Sequence, residues 1–238
     1  MTEAPPFGRE ADIVFAKTGL RAVILGGGEE PAYECLAHWV EMADFFFAAD
    51  WAALTYERLP RRPDAIIGDL DTMMGKLIGA DDPPFLHIED QETTDTEKAL
   101  LHALDLGCRE AVLLGATGRR LDHTLYNLSL VEGFADRMRI CVANEHCTSV
   151  RIGAGESVIW DLPAGTTFSL APLASPALLG EVTGARWPVS DEVLIYGGDL
   201  SISNKVAAPP LRIEVYEGSV LASIGNERLG LFLRGMSE

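Results

Sequence analysis

The chain has 238 residues, 47% of them apolar and 23% charged, enough for one large or two small globular domains with a full core. Its 36 acids outweigh its 19 bases for a formal charge of −17, and no Lys/Arg-rich stripe is present, which excludes a nucleic-acid backbone as partner. That acidity still permits a nucleotide ligand, because magnesium bridges carboxylates and phosphates.

In chain order, residues 1–9 carry acids and prolines where a basic-then-apolar leader would be needed, so a cytoplasmic protein is expected. Ala22–Leu25 reads as a strand stopped by Gly26-Gly27-Gly28, and 31–43 as a helix with Tyr33, Leu36, Ala37 and Val40 on one face. Phe45–Ala49 is a strand, too short and too closely flanked by Asp44 and Asp50 to span a membrane. A short helix is expected over Trp51–Arg58, then strands at Ala65–Ile67 and Phe85–Ile88 and a helix at Thr94–Leu106. A strand at Ala111–Leu114, a helix at Asp122–Ala135 and a strand at Arg139–Val142 complete this part. Strands alternating with helices imply crossover connections, hence an α/β domain with a mostly parallel sheet.

Beyond about Glu145 the pattern changes to short apolar runs punctuated by Gly, Pro, Ser and Asp: 149–152, 156–160, 167–171, 180–183, 193–196, 211–215 and 220–224. Such spacing indicates an antiparallel all-β sandwich or barrel. The expected organisation is therefore 1–146 as an α/β nucleotide-binding domain and 147–238 as a β-sandwich domain. The four cysteines form no Cys-x-x-Cys pair and read as buried free thiols.

Acids cluster where strands end, the ligand edge of an open α/β sheet. Asp69 and Asp71 follow a strand two residues apart, so their carboxylates project to one side and suit a hard cation, or form an acidic turn. Thr94-Asp95-Thr96-Glu97 has capping-box spacing, and Asp95 in that first turn offers a third carboxylate. Lys98 is placed to meet a phosphate or to be solvated. Gly115–Gly118 is a turn between strand and helix, followed by Arg120, whose guanidinium grips phosphate in a bidentate way, and by Asp122, a natural N-cap. Asn127 falls one turn after His123 on the same face. The triple glycine at 26–28 is either a nucleotide turn or a tight structural one, and Gly197–Asn204 is a loop rich in hydrogen-bonding groups.

Taken in order, Asp50, Gly68-Asp69-Leu70-Asp71-Thr72, Asp90-Gln91-Glu92-Thr93-Thr94-Asp95-Thr96-Glu97-Lys98, Gly115 to His123, and Leu200–Asn204 resemble the motif series of the thiamine pyrophosphokinase family. The resemblance implies pyrophosphoryl transfer from ATP to thiamine by a homodimer with active sites at the subunit interface. It implies Mg2+ held by Asp69, Asp71 and Asp95, with Asp71 or Asp95 the catalytic carboxylate nearest the attacking hydroxyl. Asp50, Asp69, Lys98, Arg120 and Asp122 would face the nucleotide, and Gln91, Ser203 and Asn204 the thiamine, the last two from the partner chain. Five positions depart from the family pattern: Trp51-Ala52 for Gly-Gly after Asp50, Thr72 for Ser, Arg119 for the second glycine of its motif, and Ala222 for a stacking tryptophan found in some members. A transferase with another acceptor alcohol and a non-catalytic nucleotide sensor are the alternative readings.

Overall fold

The computed structural model describes residues 9–49, 52, 58–69, 83–198 and 201–226. The helix expected over 51–58 therefore falls largely outside the described residues, as do Asp50, Trp51, Asp71 and Thr72. The described chain opens with a short helix, α1 (Arg9–Val14). Contacts divide it into two compact units, Lys17–Asn144 and the strand-rich part from Glu145 onward, with which α1 groups. The expected change of domain at 146/147 lies two residues from this division, whereas α1 was expected with the first domain.

Among the described residues, the first unit is built on six strands: β1 (Arg21–Leu25), β2 (Phe45–Ala49), β3 (Ala65–Gly68), β4 (Phe85–His87), β5 (Glu110–Leu114) and β6 (Arg139–Ala143). Every pairing among them is parallel, in the order β6-β5-β1-β2-β3-β4. A parallel sheet covered on both faces needs continuous apolar strands, which is why Arg21-Ala-Val-Ile-Leu25 and Glu110-Ala-Val-Leu-Leu114 are buried along their whole length. Their charged first residues are accommodated as a pair: the Arg21 Nε and Nη2 donate to Glu110 Oε2 at 3.1 and 2.9 Å, both side chains being buried. The other oxygen, Oε1, accepts from the Thr18 backbone N–H and from Arg139 Nη1, each at 3.0 Å.

Among the described residues, three helices cross over between strands. In α2 (Tyr33–Glu41), Cys35, Leu36, Trp39 and Val40 form the buried face, and the helix begins only after Pro31 and Ala32. α3 (Asp95–Asp105) buries Ala99, Leu100 and Ala103 and packs on β1, β2 and β3. α4 (Leu121–Gly133) packs against β6 and α3. Each fully buried Leu, Ile or Phe in such layers contributes about 1.5–3 kcal/mol. Among the described residues, no helix is long and apolar enough to cross a membrane.

The strand-rich unit is an all-β sandwich of β7 (Cys147–Gly153), β8 (Ser157–Trp160), β9 (Thr167–Thr183), β10 (Val189–Ser190), β11 (Val193–Leu194), β12 (Ser201–Lys205) and β13 (Leu211–Gly225), all antiparallel. Two long strands replace pairs of expected short ones. β13 joins the runs at 211–215 and 220–224, and β9 those at 167–171 and 180–183. Pro176 and Gly218 suggest breaks in the sequence; in the fold they sit where the β9–β13 register shifts, as bulges do. Gly218 has φ +69°, and a Cβ there would collide with the Pro176 carbonyl oxygen. The long strands then serve different partners at their two ends, β13 pairing with β8 at 211–214 and with β7 at 219–225.

Candidate active site

Strand order reverses between β1 and β5, which are neighbours although β2, β3 and β4 lie between them in sequence. At such a switch point the following loops run to opposite faces and leave a crevice at the carboxyl ends of the strands. Here the two loops are tied together: the N–H groups of Gly26, Gly28 and Glu29 donate to the carbonyls of Leu114, Gly115 and Thr117, each at 2.7 Å. This approach leaves no room for side chains, since a Cβ on Gly28 would collide with the Gly115 and Thr117 oxygens and one on Gly118 would lie 2.7 Å from Glu29 Cβ. Within the triple glycine, the Gly26 and Gly28 amides are committed to the neighbouring loop, while Gly27 and Gly28 line the crevice.

The crevice is a cleft of about 660 Å³, and the titratable side chains and Gln91 that line it come from four segments. Asp69 comes from the end of β3, Gln91 from the loop between β4 and α3, Asp95 and Lys98 from the first turn of α3, and Arg120 and His123 from the head of α4. Five of the sequence-predicted positions, Asp69, Gln91, Asp95, Lys98 and Arg120, therefore line one site, and His123 joins them. Gln91 Nε2 donates to Asp69 Oδ2 at 3.2 Å. Lys98 corrects the solvated alternative: its side chain is only 3% exposed, and Nζ lies 3.1 Å from Asp95 Oδ1.

Asp95 is held above the ordinary carboxylate value, chiefly by burial; the Asp69 charge adds to the rise, while Lys98 and His123 oppose it. A carboxylate pair that repels across a cleft is the donor set a hard divalent cation stabilises, so Asp69 and Asp95 fit magnesium chemically. Asp71, the third expected ligand, lies outside the described residues, and among the described residues no group of three metal-binding side chains forms.

The capping box is half formed. Thr94 Oγ1 accepts from the Glu97 N–H at 3.3 Å, but the Glu97 carboxylate accepts instead from the Tyr126 hydroxyl at 2.6 Å, joining α3 to α4. Asp122 is not the N-cap of α4. Arg120 occupies that position, and Asp122 in the first turn binds its guanidinium through both oxygens. The pair is exposed, and Arg120 holds the Asp122 carboxyl down at about 2. Asn127 shares the cleft face expected for it, with Nδ2 donating to the Ala116 carbonyl at 2.8 Å, so it pins the β5–α4 loop to the helix.

Thr93, Thr96 and Arg119 also line the cleft, and the sequence alone assigns none of them a contact. The available signal for Arg119 was its departure from glycine. It has φ +55°, directly after Gly118 at +82°, so glycine would sit there without strain and an L-residue costs about 1–2 kcal/mol.

In the strand-rich unit, Ser203 is exposed with φ +59° and its N–H donates to Ser169 Oγ at 3.0 Å. Asn204 is buried and acts on its own chain: Oδ1 accepts from the Trp187 and Lys205 N–H groups, and Nδ2 donates to the Trp187 carbonyl at 2.7 Å. Its role as drawn is to hold Trp187 against β12. Ala222 is wholly buried, in register with Val150 and Leu170, so that position offers no surface for stacking.

An all-parallel sheet with glycine turns and a mixed-charge cleft at its switch point defines an open α/β protein with a site suited to a phosphorylated ligand. Family comparison is specific on this point: residues 36–142 match the thiamin pyrophosphokinase catalytic domain, and 156–220 match the vitamin B1 binding domain of the same family. The chain belongs to the thiamin pyrophosphokinase family. It is similar to Thiamine pyrophosphokinase 1 of Oryza sativa subsp. japonica, 29% identical over 171 residues that span 66% of this chain and 64% of that relative. Thiamine pyrophosphokinase 1 of Arabidopsis thaliana is 25% identical over 186 residues, 73% of this chain and 69% of the relative. The structure of thiamine pyrophosphokinase from Bacillus subtilis shares the fold, with TM-score 0.73 at 18% identity over 86% of this chain and 98% of that one.

Proposed function

We propose that this chain is an ATP-dependent diphosphotransferase that moves a pyrophosphoryl group from ATP to the primary hydroxyl of thiamine, releasing thiamine diphosphate and AMP. The observation that carries this reading is the convergence of Asp69, Asp95, Lys98 and Arg120 on one switch-point cleft in a domain matched to the family. Transfer at phosphorus asks little covalent work of a protein; alignment and charge neutralisation do most of it. Asp69 and Asp95, with Asp71, would hold Mg2+, which when bound neutralises charge on the phosphates and the departing oxygen.

The chain's own groups do the rest. Lys98 fixes the Asp95 carboxylate from a buried position, so the carboxylate keeps one orientation as the ligand enters. Burial raises the basicity of Asp95, which favours it, with Asp71, as the carboxylate that takes the proton of the attacking hydroxyl. Arg120 presents a planar fork to phosphate, oriented by Asp122; Asp122 then acts on the nucleotide through Arg120. Asp50 is proposed on the nucleotide side by its motif. Gln91, set by Asp69, is proposed on the acceptor side together with Ser203 and Asn204 of the partner subunit in a cytoplasmic homodimer. Asn204 contributes there by shaping the loop, since its oxygen is already taken.

Product stoichiometry tests the reading. Purified protein given ATP, Mg2+ and thiamine should form AMP and thiamine diphosphate in equal amounts. ADP with thiamine monophosphate, or consumption of ATP without thiamine, would overturn it.

A further inference from the structure

The metal-facing and phosphate-facing groups of the cleft stand on different helices. Asp95 and Lys98 belong to the first turn of α3, while Arg120, His123 and Asn127 belong to the head of α4. Transfer at phosphorus tolerates little error in the spacing of such groups, because the attacking oxygen, the phosphorus and the leaving oxygen must align. Each helix head has a local anchor: Lys98 Nζ holds Asp95 Oδ1 at 3.1 Å, and Asn127 Nδ2 donates to the Ala116 carbonyl at 2.8 Å. Neither anchor sets the distance from one helix to the other.

A third bond does. The Tyr126 hydroxyl on α4 donates to the Glu97 carboxylate on α3 at 2.6 Å. Glu97 stands between Asp95 and Lys98 in sequence, and Tyr126 directly precedes Asn127. In a complete capping box Glu97 would reach back to the N-cap of its own helix; here its carboxylate serves the neighbouring helix instead. The Tyr126 hydroxyl holds its proton more firmly than a free tyrosine, mainly because it donates to Glu97, so the donor stays intact through neutral pH. Neither side chain is among the described residues that line the cleft, and Tyr126 is exposed. A solvent-facing hydrogen bond adds little to stability, since water replaces it readily. What a short, charge-assisted bond does supply is a fixed geometry between the two helix heads.

We infer that the Glu97–Tyr126 hydrogen bond positions the two helix heads for the transfer step, holding α3 against α4 and so setting the spacing between the Asp95 carboxylate and the Arg120 guanidinium. Glu97 and Tyr126 are positioning residues: they touch no substrate and act through the cleft residues beside them. The inference rests on the proposed function, because this spacing matters only where both groups act on one transferring phosphoryl chain.

The test is a double-mutant cycle on Tyr126→Phe and Glu97→Ala, reading melting temperature and, for thiamine diphosphate formation, kcat and the KM for ATP. Tyr126→Phe keeps the ring and removes only the hydroxyl, so its melting temperature should stay within about 4 °C of wild type. Well below melting, each single variant should lower kcat about tenfold, with KM for ATP changed less than about twofold. The double variant should lose no more than either single one. Glu97→Gln, whose amide oxygen still accepts from the hydroxyl, should keep most of the wild-type kcat. Wild-type kcat in Tyr126→Phe, or losses that multiply in the double variant, would overturn the inference. So would a Glu97→Gln variant as slow as Glu97→Ala. If the wild-type protein forms AMP and thiamine diphosphate, the proposed function survives those results; a wild type that forms neither overturns both.

Discussion

The two ends of the same strands are built on opposite electrostatic plans. At the amino ends of β1, β5 and β6, Glu110 accepts hydrogen bonds at both carboxylate oxygens from Thr18, Arg21 and Arg139, and Arg21 lies 5.7 Å above the Trp39 ring. At the carboxyl ends, Asp69 and Asp95 repel each other, a buried lysine restrains one of them, and Arg119 is held in a left-handed conformation. One end is a closed network of hydrogen bonds centred on the buried Glu110 carboxylate. The other is left incomplete in a way that a polyanion and a cation would complete. The difference follows from where an open sheet can bind: side chains at the carboxyl ends converge on the crevice, so conflict is tolerated there and compensated by packing elsewhere.

The largest effect expected of a single change lies at the closed end. Glu110→Ala would strand a buried guanidinium and should cost about 3–5 kcal/mol in urea unfolding, without altering ATP affinity of the folded protein. A loss below about 1 kcal/mol would place that pair among ordinary surface ion pairs and dissolve the contrast. At the incomplete end, Asp95→Asn should lower kcat by about a hundredfold or more, and Asp71→Asn should do the same with little loss of fold. Near-normal turnover in either removes that carboxylate from the chemistry. Because burial raises Asp95, the acid limb of kcat/KM should lie above the ordinary carboxylate value of 3.8, activity falling as the pH drops through that raised value.

Gly28→Ala tests the seam between the two glycine turns. Its methyl group has nowhere to go against the Gly115 and Thr117 carbonyls, so stability should fall by about 1–3 kcal/mol, read as a lower melting temperature. The smallest effect concerns Asp122. Its carboxyl, held at about 2 against an ordinary 3.8, adds stability that is present above 3.8 and is lost as pH falls through about 2. Full exposure keeps this small. Carbon-detected NMR titration should show the low midpoint in the wild type and its return toward 3.8 in Arg120→Ala.

Much of this layout was legible in the sequence, for physical reasons. Strands buried on both faces must be apolar throughout, so 22–25, 45–49 and 111–114 announce a parallel sheet, and acids just past them announce its ligand edge. Other features depended on tertiary contacts. The bulges at Pro176 and Gly218 resemble turns until a partner strand is present to keep the chain extended. Lys98 looks solvated by spacing, yet the packing of α3 over three strands buries it beside Asp95. Asp122 resembles an N-cap, and only the left-handed pair Gly118–Arg119 shifts the cap to Arg120. Asn204 follows a binding motif, although its amide is consumed in holding Trp187. Asp50 and Asp71 lie outside the described residues, so their placement rests on motif order alone.

The central claim is that the carboxyl end of the sheet holds a divalent cation together with a polyphosphate, through Asp69 and Asp95. Electron paramagnetic resonance of Mn2+, titrated in the presence of a non-hydrolysable ATP analogue, addresses it directly. The account predicts tight binding by the wild-type protein and by the Glu110→Gln variant, and a weakening of about tenfold or more in Asp69→Asn and Asp95→Asn. Unchanged Mn2+ affinity in both carboxylate variants would contradict it.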